Sequence, residues 1–171
     1  MKVYNENGCF INPPIDKQIL DSINGVLANG SDTDTQATAR ILKENVSYED
    51  PYQLIYDKFL NEILNNCTTL PIEKKKSSVG ICYTAMHGVG QEFMCGLMKM
   101  TNFEKFYTVA EQALPDAKFS TVRDPNPEVG SETLKLLMET AEKNGCLVGF
   151  ANDPDADRLG MIEKVNGYLH I

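Results

Sequence analysis

Hydrophobic residues at the start of the chain recur first with the spacing of a hairpin and then with that of a helix. Short apolar runs at 2–4 and 9–11 flank Asn7-Gly8, a dipeptide typical of tight hairpin turns, and predict two short strands. After Pro13, isoleucines at helical spacing predict a helix, because proline is favoured in the first helical turn. Asn29-Gly30 is a natural end for that helix.

A polar stretch separates this helix from the next apolar pattern. Residues 31–39 consist of serine, threonine, aspartate, glutamine and alanine and have no apolar periodicity, which predicts a flexible or solvent-facing connection. Apolar residues return at helical spacing from Asp50-Pro51 to Asn65-Asn66 and predict a second helix.

Beyond residue 77, apolar segments alternate between strand and helix. Strands are predicted at 79–84, 106–109, 119–122 and 146–151, and helices at 89–100 and 127–143, with Gly145 closing the last helix. Uninterrupted apolar strands between helices are typical of mainly parallel sheets. The predicted fold class is therefore α/β, a mixed, mainly parallel sheet flanked by helices with an N-terminal extension.

Three segments follow from this pattern. Residues 1–30 form a leading segment with a connecting helix, residues 31–77 a linker and helix, and residues 78–171 one α/β domain. The ligands of such sheets bind beyond the carboxyl ends of the strands. Functional residues are therefore expected in the loops after 79–84 and 146–151.

Composition and charge exclude several classes of function. The chain has 171 residues, 42% of them hydrophobic, and a net charge of −8, which argues against a nucleic-acid partner because phosphates attract a basic surface. No apolar run is long enough to span a membrane, and the first residues lack the apolar stretch of a secretory signal. We expect a cytoplasmic protein without membrane or nucleic-acid partners.

The five cysteines give no support for a zinc site or a disulfide framework. Their number is odd, no Cys-x-x-Cys spacing occurs, and the chain has two histidines. Cys82, Cys95 and Cys146 lie within apolar segments and are predicted to be small buried hydrophobic residues.

The strongest chemical signal is the acidic loop, defined as residues 153–158. Asp153, Asp155 and Asp157 stand at alternate positions directly after a predicted strand, and Arg158 follows. Like charges this close repel one another, and a hard divalent cation such as magnesium or calcium neutralises them. A solvated acidic turn is the alternative for an isolated pattern of this kind.

Two further observations favour magnesium in a phosphate-handling site. An EF-hand calcium loop requires glycine at its sixth position and glutamate at its twelfth, where this chain has Arg158 and Lys164. Three aspartates, one arginine and Mg²⁺ sum to zero charge, so an arriving phosphate would meet no net repulsion. The arginine can grip a second phosphate oxygen.

A second loop of interest, the glycine loop, comprises residues 85–90 and follows the first buried strand. Gly88 and Gly90 permit a tight strand-to-helix turn whose amides can bind an anion, but close packing of helix on strand explains two glycines equally well. His87 is a possible acid–base group, although a turn histidine bonded to nearby backbone is the commoner case.

Together these stretches resemble the second domain of the α-D-phosphohexomutases. The matching stretches are Thr84–Gly90, Pro125–Glu128 and Ala151–Arg158, in that order, and Tyr4–Ile11 is similar to the end of that family's first domain. The sequence motif Asp-Pro-Asp-Ala-Asp-Arg is most similar to that of the phosphoglucomutase branch that includes phosphopentomutase. The resemblance covers nearly the whole chain and is least specific at 31–77.

The resemblance implies a function for the acidic loop. In that family three aspartates bind magnesium with the phosphate of a phosphoserine, which carries over to Asp153, Asp155 and Asp157, and the next arginine, here Arg158, contacts phosphoryl groups. The family shifts phosphate between two hydroxyls of a sugar phosphate. His87, Gly88 and Gly90 would belong to a supporting loop.

The resemblance also implies that part of the machinery is missing. The family's phosphoserine lies in a Ser-His-Asn-Pro loop that does not occur in this sequence, and the sugar-specificity and terminal phosphate loops belong to later domains. We therefore expect a folded, inactive fragment that works with the remaining domains of the same enzyme. Two alternatives are a phosphatase fragment of the haloacid-dehalogenase type, with Asp153 as nucleophile and Asp155 as general acid, and a non-enzymatic metal-stabilised module.

Overall fold

A computed structural model describes residues 3–28, 49–67, 78–101, 103–166 and 168–170 of the chain. The chain divides into two compact units, Met1–Glu49 and Asp50–Ile171. The predicted linker at 31–39 and the boundaries predicted at 30/31 and 77/78 involve residues outside the described part.

The first unit begins with a turn and continues into helix α1, Ile15–Ala28. The predicted hairpin is present as a turn with one antiparallel bridge, between Tyr4 and Phe10. The Asn5 side chain stabilises this turn by accepting hydrogen bonds from the backbone N–H groups of Asn7 and Cys9. The predicted first helix is confirmed, and its expected end at Asn29-Gly30 lies outside the described residues.

The second unit opens with α2, Tyr52–Glu62, which continues through a π-helical turn, Ile63–Cys67. This confirms the second predicted helix. It packs against α3, Gly90–Met100, through Tyr56 and Phe93, whose ring centroids lie 5.2 Å apart. The hydroxyl of Tyr52 donates a 2.8 Å hydrogen bond to a carboxylate oxygen of Glu92, which fixes the two helices side by side.

A mixed sheet forms the centre of this unit. Its five strands in the described part of the chain are β1 Ile81–Thr84, β2 Phe106–Thr108, β3 Val148–Asn152, β4 Leu159–Val165 and β5 Tyr168–His170. The order is β2-β1-β3-β4-β5, with β2, β1 and β3 parallel and β4 and β5 joined antiparallel. The predicted α/β fold with a mixed sheet and flanking helices is confirmed.

The hydrophobic core lies between the sheet and α4, Lys135–Lys143. Leu137 and Ala141 on this helix are fully buried, as are Cys82, Cys146 and Ile162 on the sheet side. Burial raises the pKa of the Cys82 thiol to about 12, which makes it a packing residue rather than a nucleophile. The expected burial of Cys82 and Cys146 is confirmed, while Cys95 is only half-buried.

Two predicted elements differ from the structure. Residues 119–122 form turns instead of a strand, because the backbone at Phe119 is left-handed, with φ +49°. The single helix expected at 127–143 is divided into a short 3₁₀ turn, Pro127–Val129, and α4. Gly130 separates them with φ +112° and ψ −157°, a conformation that no helix contains.

Within the described ranges no helix combines the length and apolar character that crossing a membrane requires.

Candidate metal site at the strand ends

The acidic loop and the glycine loop emerge at the same edge of the sheet. Strands β1 and β3 are parallel neighbours in register, so that Thr84 lies beside Ala151 at their carboxyl ends. The glycine loop follows β1, and the acidic loop connects β3 to β4. The fold therefore brings together the two loops that the sequence singles out.

Asp153 forms the base of the acidic loop. The residue is 5% exposed, and its Oδ1 accepts a 3.0 Å hydrogen bond from the backbone N–H of Arg158. Its carbonyl oxygen accepts a second bond, 2.9 Å, from the N–H of Ala156, whose φ is +60°. These bonds curl the loop, so that Asp155 and Asp157 return toward Asp153.

The three aspartates converge on one point. One carboxylate oxygen from each of Asp153, Asp155 and Asp157 lies within 4.8 Å of the others. Among the described residues, this is the group of His, Cys, Asp or Glu side chains that could hold a metal ion. Oxygens in an octahedral shell at about 2.1 Å from Mg²⁺ lie about 3 to 4 Å apart. Three hard oxygen donors therefore fit a hard divalent cation after small side-chain rotations.

The electrostatics of the loop also favour a cation. Burial raises the pKa of Asp153, and the carboxylates of Asp155 and Asp157 raise it further, while the Arg158 N–H lowers it. The Arg158 side chain compensates only weakly, because it is 46% exposed and its Nε lies 3.8 Å from Asp153 Oδ2 and 3.9 Å from Asp157 Oδ1. The Arg158 guanidinium thus offsets only part of the negative charge of Asp153 and Asp157.

Two polar residues that sequence reasoning missed support the loop from β1 and β3. The Tyr83 hydroxyl donates a 3.0 Å hydrogen bond to Asn152 Oδ1, and Asn152 Nδ2 donates a 2.7 Å bond to the Arg158 carbonyl. Asn152 thus joins both ends of the acidic loop. Its place at the end of an apolar strand, directly before three aspartates, is a sequence signal that would have identified it.

The glycine loop contacts the acidic loop directly. The N–H of Val89 donates a 2.9 Å hydrogen bond to the carbonyl of Pro154. A Cβ at Gly88 would overlap the Pro154 backbone, lying 2.6 Å from its carbonyl carbon. Gly90 faces the Tyr83 hydroxyl and Ala156. Close approach of the Pro154 backbone therefore accounts for Gly88, and the nearby Tyr83 hydroxyl accounts for Gly90. The role of these glycines in binding an anion stays a prediction.

His87 is buried in the structure. Its Nδ1 lies 2.8 Å from the carbonyl oxygen of Leu114, and its Nε2 lies 2.7 Å from the Thr121 hydroxyl. Only 7% of the residue is exposed. Both ring nitrogens thus have partners within the protein, which matches the interpretation as a turn histidine better than that of an acid–base group.

Asp116 organises the turn that covers His87. Its carboxylate accepts hydrogen bonds from the backbone N–H groups of Ser120 and Lys118, at 2.8 and 2.9 Å, and these bonds lower its pKa to about 2. The turn leaves Phe119 with its ring edge-to-face on His87, 6.1 Å between centroids. Residues 114–121 thereby form a cap over the imidazole.

The low pKa of Asp116 predicts a pH-dependent contribution to stability. A carboxylate with a folded pKa near 2 and an ordinary value of 3.8 stabilises the fold above about pH 4, and this contribution is lost as the pH falls toward 2. Asp116→Asn should therefore lower the free energy of unfolding more at pH 6 than at pH 3, as measured by urea denaturation. An equal loss at both pH values would contradict this assignment.

Comparison with known proteins places these features in a family. The model of "Phosphoglucomutase/phosphomannomutase, alpha/beta/alpha domain II" matches residues 57–167. Human glucose 1,6-bisphosphate synthase is 37% identical over 164 residues, which cover 95% of this chain and 25% of that protein. Human phosphopentomutase is 31% identical over 163 residues, covering 95% and 26% respectively.

A crystal structure of a phosphoglucomutase/phosphomannomutase family protein from Burkholderia thailandensis matches 67% of the chain and 22% of its own chain, with a TM-score of 0.49 and 22% identity. The chain spans about a quarter of the length of the curated relatives named above.

Proposed function

Because the chain belongs to the phosphoglucomutase/phosphomannomutase family and matches its second domain, we propose that the acidic loop is a magnesium site for phosphoryl transfer on a sugar phosphate. Asp153, Asp155 and Asp157 are the proposed ligands. Bound magnesium would stabilise negative charge on a phosphoryl group during transfer. The observation that carries this proposal is the convergence of three carboxylates at the end of β3.

The side chains of the acidic loop would have different roles in such a site. Buried Asp153 is held by the Arg158 N–H and has little freedom, whereas Asp155 and Asp157 are exposed on the outer side of the loop. Arg158 extends a half-exposed guanidinium beside them, where it can donate hydrogen bonds to a phosphate oxygen. Asn152 and Val89 hold the backbone that carries these groups.

In the proposed function, other domains would supply part of the active site. The sequence contains no Ser-His-Asn-Pro loop and spans about a quarter of its relatives, so the phosphate donor and the sugar contacts would come from outside these residues. The substrate class is a sugar phosphate, and the names of the relatives, which mention glucose and pentose, leave hexose and pentose open.

The metal site can be tested on the chain as it stands. Titration with Mg²⁺ in a calorimeter should give binding to one site, and Asp155→Asn should weaken that binding at least tenfold, since it removes one of three charged ligands. Asp21→Asn, which changes net charge equally on the exposed surface of α1, is the matched control.

Two outcomes would argue against the site. Unchanged affinity in Asp155→Asn would place the ion elsewhere, and equal weakening in Asp21→Asn would reduce the effect to net charge. Repeating the titration with Ca²⁺ distinguishes a generic acidic site from one that prefers the smaller ion.

The absence of turnover can be tested separately. Incubation of the chain with glucose 1-phosphate, magnesium and a bisphosphate activator should yield no glucose 6-phosphate, because no phosphorylated serine loop is present to donate or accept the group. Product formation in proportion to the amount of chain would contradict the proposal for the fragment while leaving the metal site intact.

The family match also favours the mutase over the alternatives. A haloacid-dehalogenase phosphatase would use Asp153 as an exposed nucleophile, yet Asp153 is 5% exposed with one oxygen bonded to the Arg158 N–H. Trapping of an acyl phosphate on Asp153 would restore that alternative. If the chain were instead a non-enzymatic module, it would bind metal but would not contribute to phosphoryl transfer.

A further inference from the structure

The backbone of the glycine loop adopts an unfavourable conformation at two consecutive residues. Met86 has φ +47° and His87 has φ +67°, and neither is glycine. Left-handed backbone at a residue with a side chain costs about 1 kcal/mol or more and persists only where surrounding contacts enforce it. The contacts that enforce it here therefore determine where the following residues lie.

The ring of His87 supplies two of these contacts, beside the 2.9 Å hydrogen bond from the His87 backbone N–H to the Gln112 carbonyl oxygen. A carbonyl oxygen can only accept, so the bond to Leu114 assigns the hydrogen to Nδ1. In a neutral imidazole Nε2 is then an acceptor, and the hydroxyl of Thr121 donates to it. The ring thus ties the glycine loop to both sides of the cap formed by residues 114–121.

A chain of hydrogen bonds, buried at Gln112 and Thr84, extends this connection back to β1. Thr121 accepts a 3.2 Å bond from Gln112 Nε2, and Gln112 Oε1 accepts a 2.6 Å bond from the Thr84 hydroxyl. Thr84 in turn accepts a 3.1 Å bond from the N–H of Met86. With hydrogen on Nδ1, each group of this network donates and accepts in one consistent direction.

The residues directly after His87 are those that contact the acidic loop. Gly88 packs against the Pro154 backbone, and the Val89 N–H donates to the Pro154 carbonyl, one residue from Asp153. Displacement of His87 would move this contact surface, and the support beneath the three aspartates would move with it.

We propose that His87 is a positioning residue for the acidic loop, acting through the Gly88-Val89 backbone on Pro154. It does not exchange protons with substrate. For metal binding the inference rests on the proposed function, whereas the order of the acidic loop is a property of the metal-free chain and can be measured alone.

Native-state amide exchange of the metal-free chain is the deciding experiment. In His87→Ala, the amides of Val89, Ala156 and Arg158 should exchange at least tenfold faster than in the parent, relative to the core amides of β1 and β3. His87→Asn should recover part of this protection. Asparagine tolerates the left-handed backbone and can donate to the Leu114 carbonyl, but it is too short to reach Thr121.

Leu60→Ala is the control for a purely structural effect. Leu60 is 2% exposed and packs beside Gly96 in α3, away from both loops, so its loss should speed exchange through global unfolding without singling out the loop amides. If His87→Ala gives the same uniform pattern as Leu60→Ala, the positioning role is overturned.

Two further measurements separate this inference from the metal site. The ¹⁵N shifts of the imidazole at pH 8 should report hydrogen on Nδ1, and hydrogen on Nε2 would contradict the network. The dissociation constant for Mg²⁺ should rise about tenfold in His87→Ala. If the parent binds no Mg²⁺, the proposed function fails, and the exchange pattern still decides the role of His87.

Discussion

Replacing Asp153 by asparagine should raise the free energy of unfolding of the metal-free chain and at the same time remove its stabilisation by magnesium. The two effects have opposite signs because Asp153 is charged, buried and next to two other carboxylates. Without a cation that arrangement opposes folding, and with a cation it provides the ligands.

The geometry makes asparagine a conservative change for the loop itself. Its Oδ1 can accept the hydrogen bond from the Arg158 N–H that Asp153 accepts now, so the turn is retained. Its Nδ2 can donate to Asp155 or Asp157, which turns repulsion into attraction. An amide lacks the negative charge that a magnesium ligand supplies, and affinity should fall more than 100-fold.

Urea denaturation with and without magnesium measures both effects. At a concentration of 100 times the dissociation constant, magnesium should add about 2.7 kcal/mol to the stability of the parent. The same concentration should add less than about 0.5 kcal/mol to Asp153→Asn if affinity falls 100-fold. Asp21→Asn should behave as the parent in both conditions.

A lower stability of metal-free Asp153→Asn would show that the carboxylate has a structural role that its neutral isostere cannot fill. Retained stabilisation by magnesium would instead remove Asp153 from the ligand set. Each half of the prediction can therefore fail without the other.

The parts of this fold that the sequence predicts are those set by local pattern. Apolar runs identify β1 and β3, and apolar residues at helical spacing identify α1, α2 and α3, although no residue of α1 is buried. The acidic loop is visible because its three aspartates and arginine are contiguous in the chain. For these features, sequence neighbours are also structural neighbours.

The parts that the sequence does not predict depend on contacts between distant residues. Phe119 belongs to an apolar segment typical of a strand, but two amides bonded to the Asp116 carboxylate bend the chain there. The requirement for glycine at position 88 is equally invisible in the sequence. It comes from the backbone of Pro154, which lies next to Gly88 only when β1 and β3 pair. His87 shows no partner nearby in sequence for the same reason.

The close contact at Gly88 leads to the second large expected effect. Gly88→Ala should lower the free energy of unfolding by about 3 kcal/mol, the upper part of the range for an overpacked site. An alanine Cβ would overlap the Cα, carbonyl carbon and oxygen of Pro154, which are backbone atoms and cannot rotate away. One of the two loops must then move, and the hydrogen bond from Val89 to Pro154 is lost.

Gly25→Ala provides the matched control, because Gly25 lies within α1 and a Cβ there meets nothing within 4 Å. Alanine should stabilise that helix by up to about 1 kcal/mol, since glycine loses more backbone entropy in a helix. Urea denaturation of the two variants should therefore give changes of opposite sign. Comparable stability of Gly88→Ala and the parent would mean that the acidic loop can withdraw without cost. The glycine loop would then not be the support on which the proposed magnesium site depends.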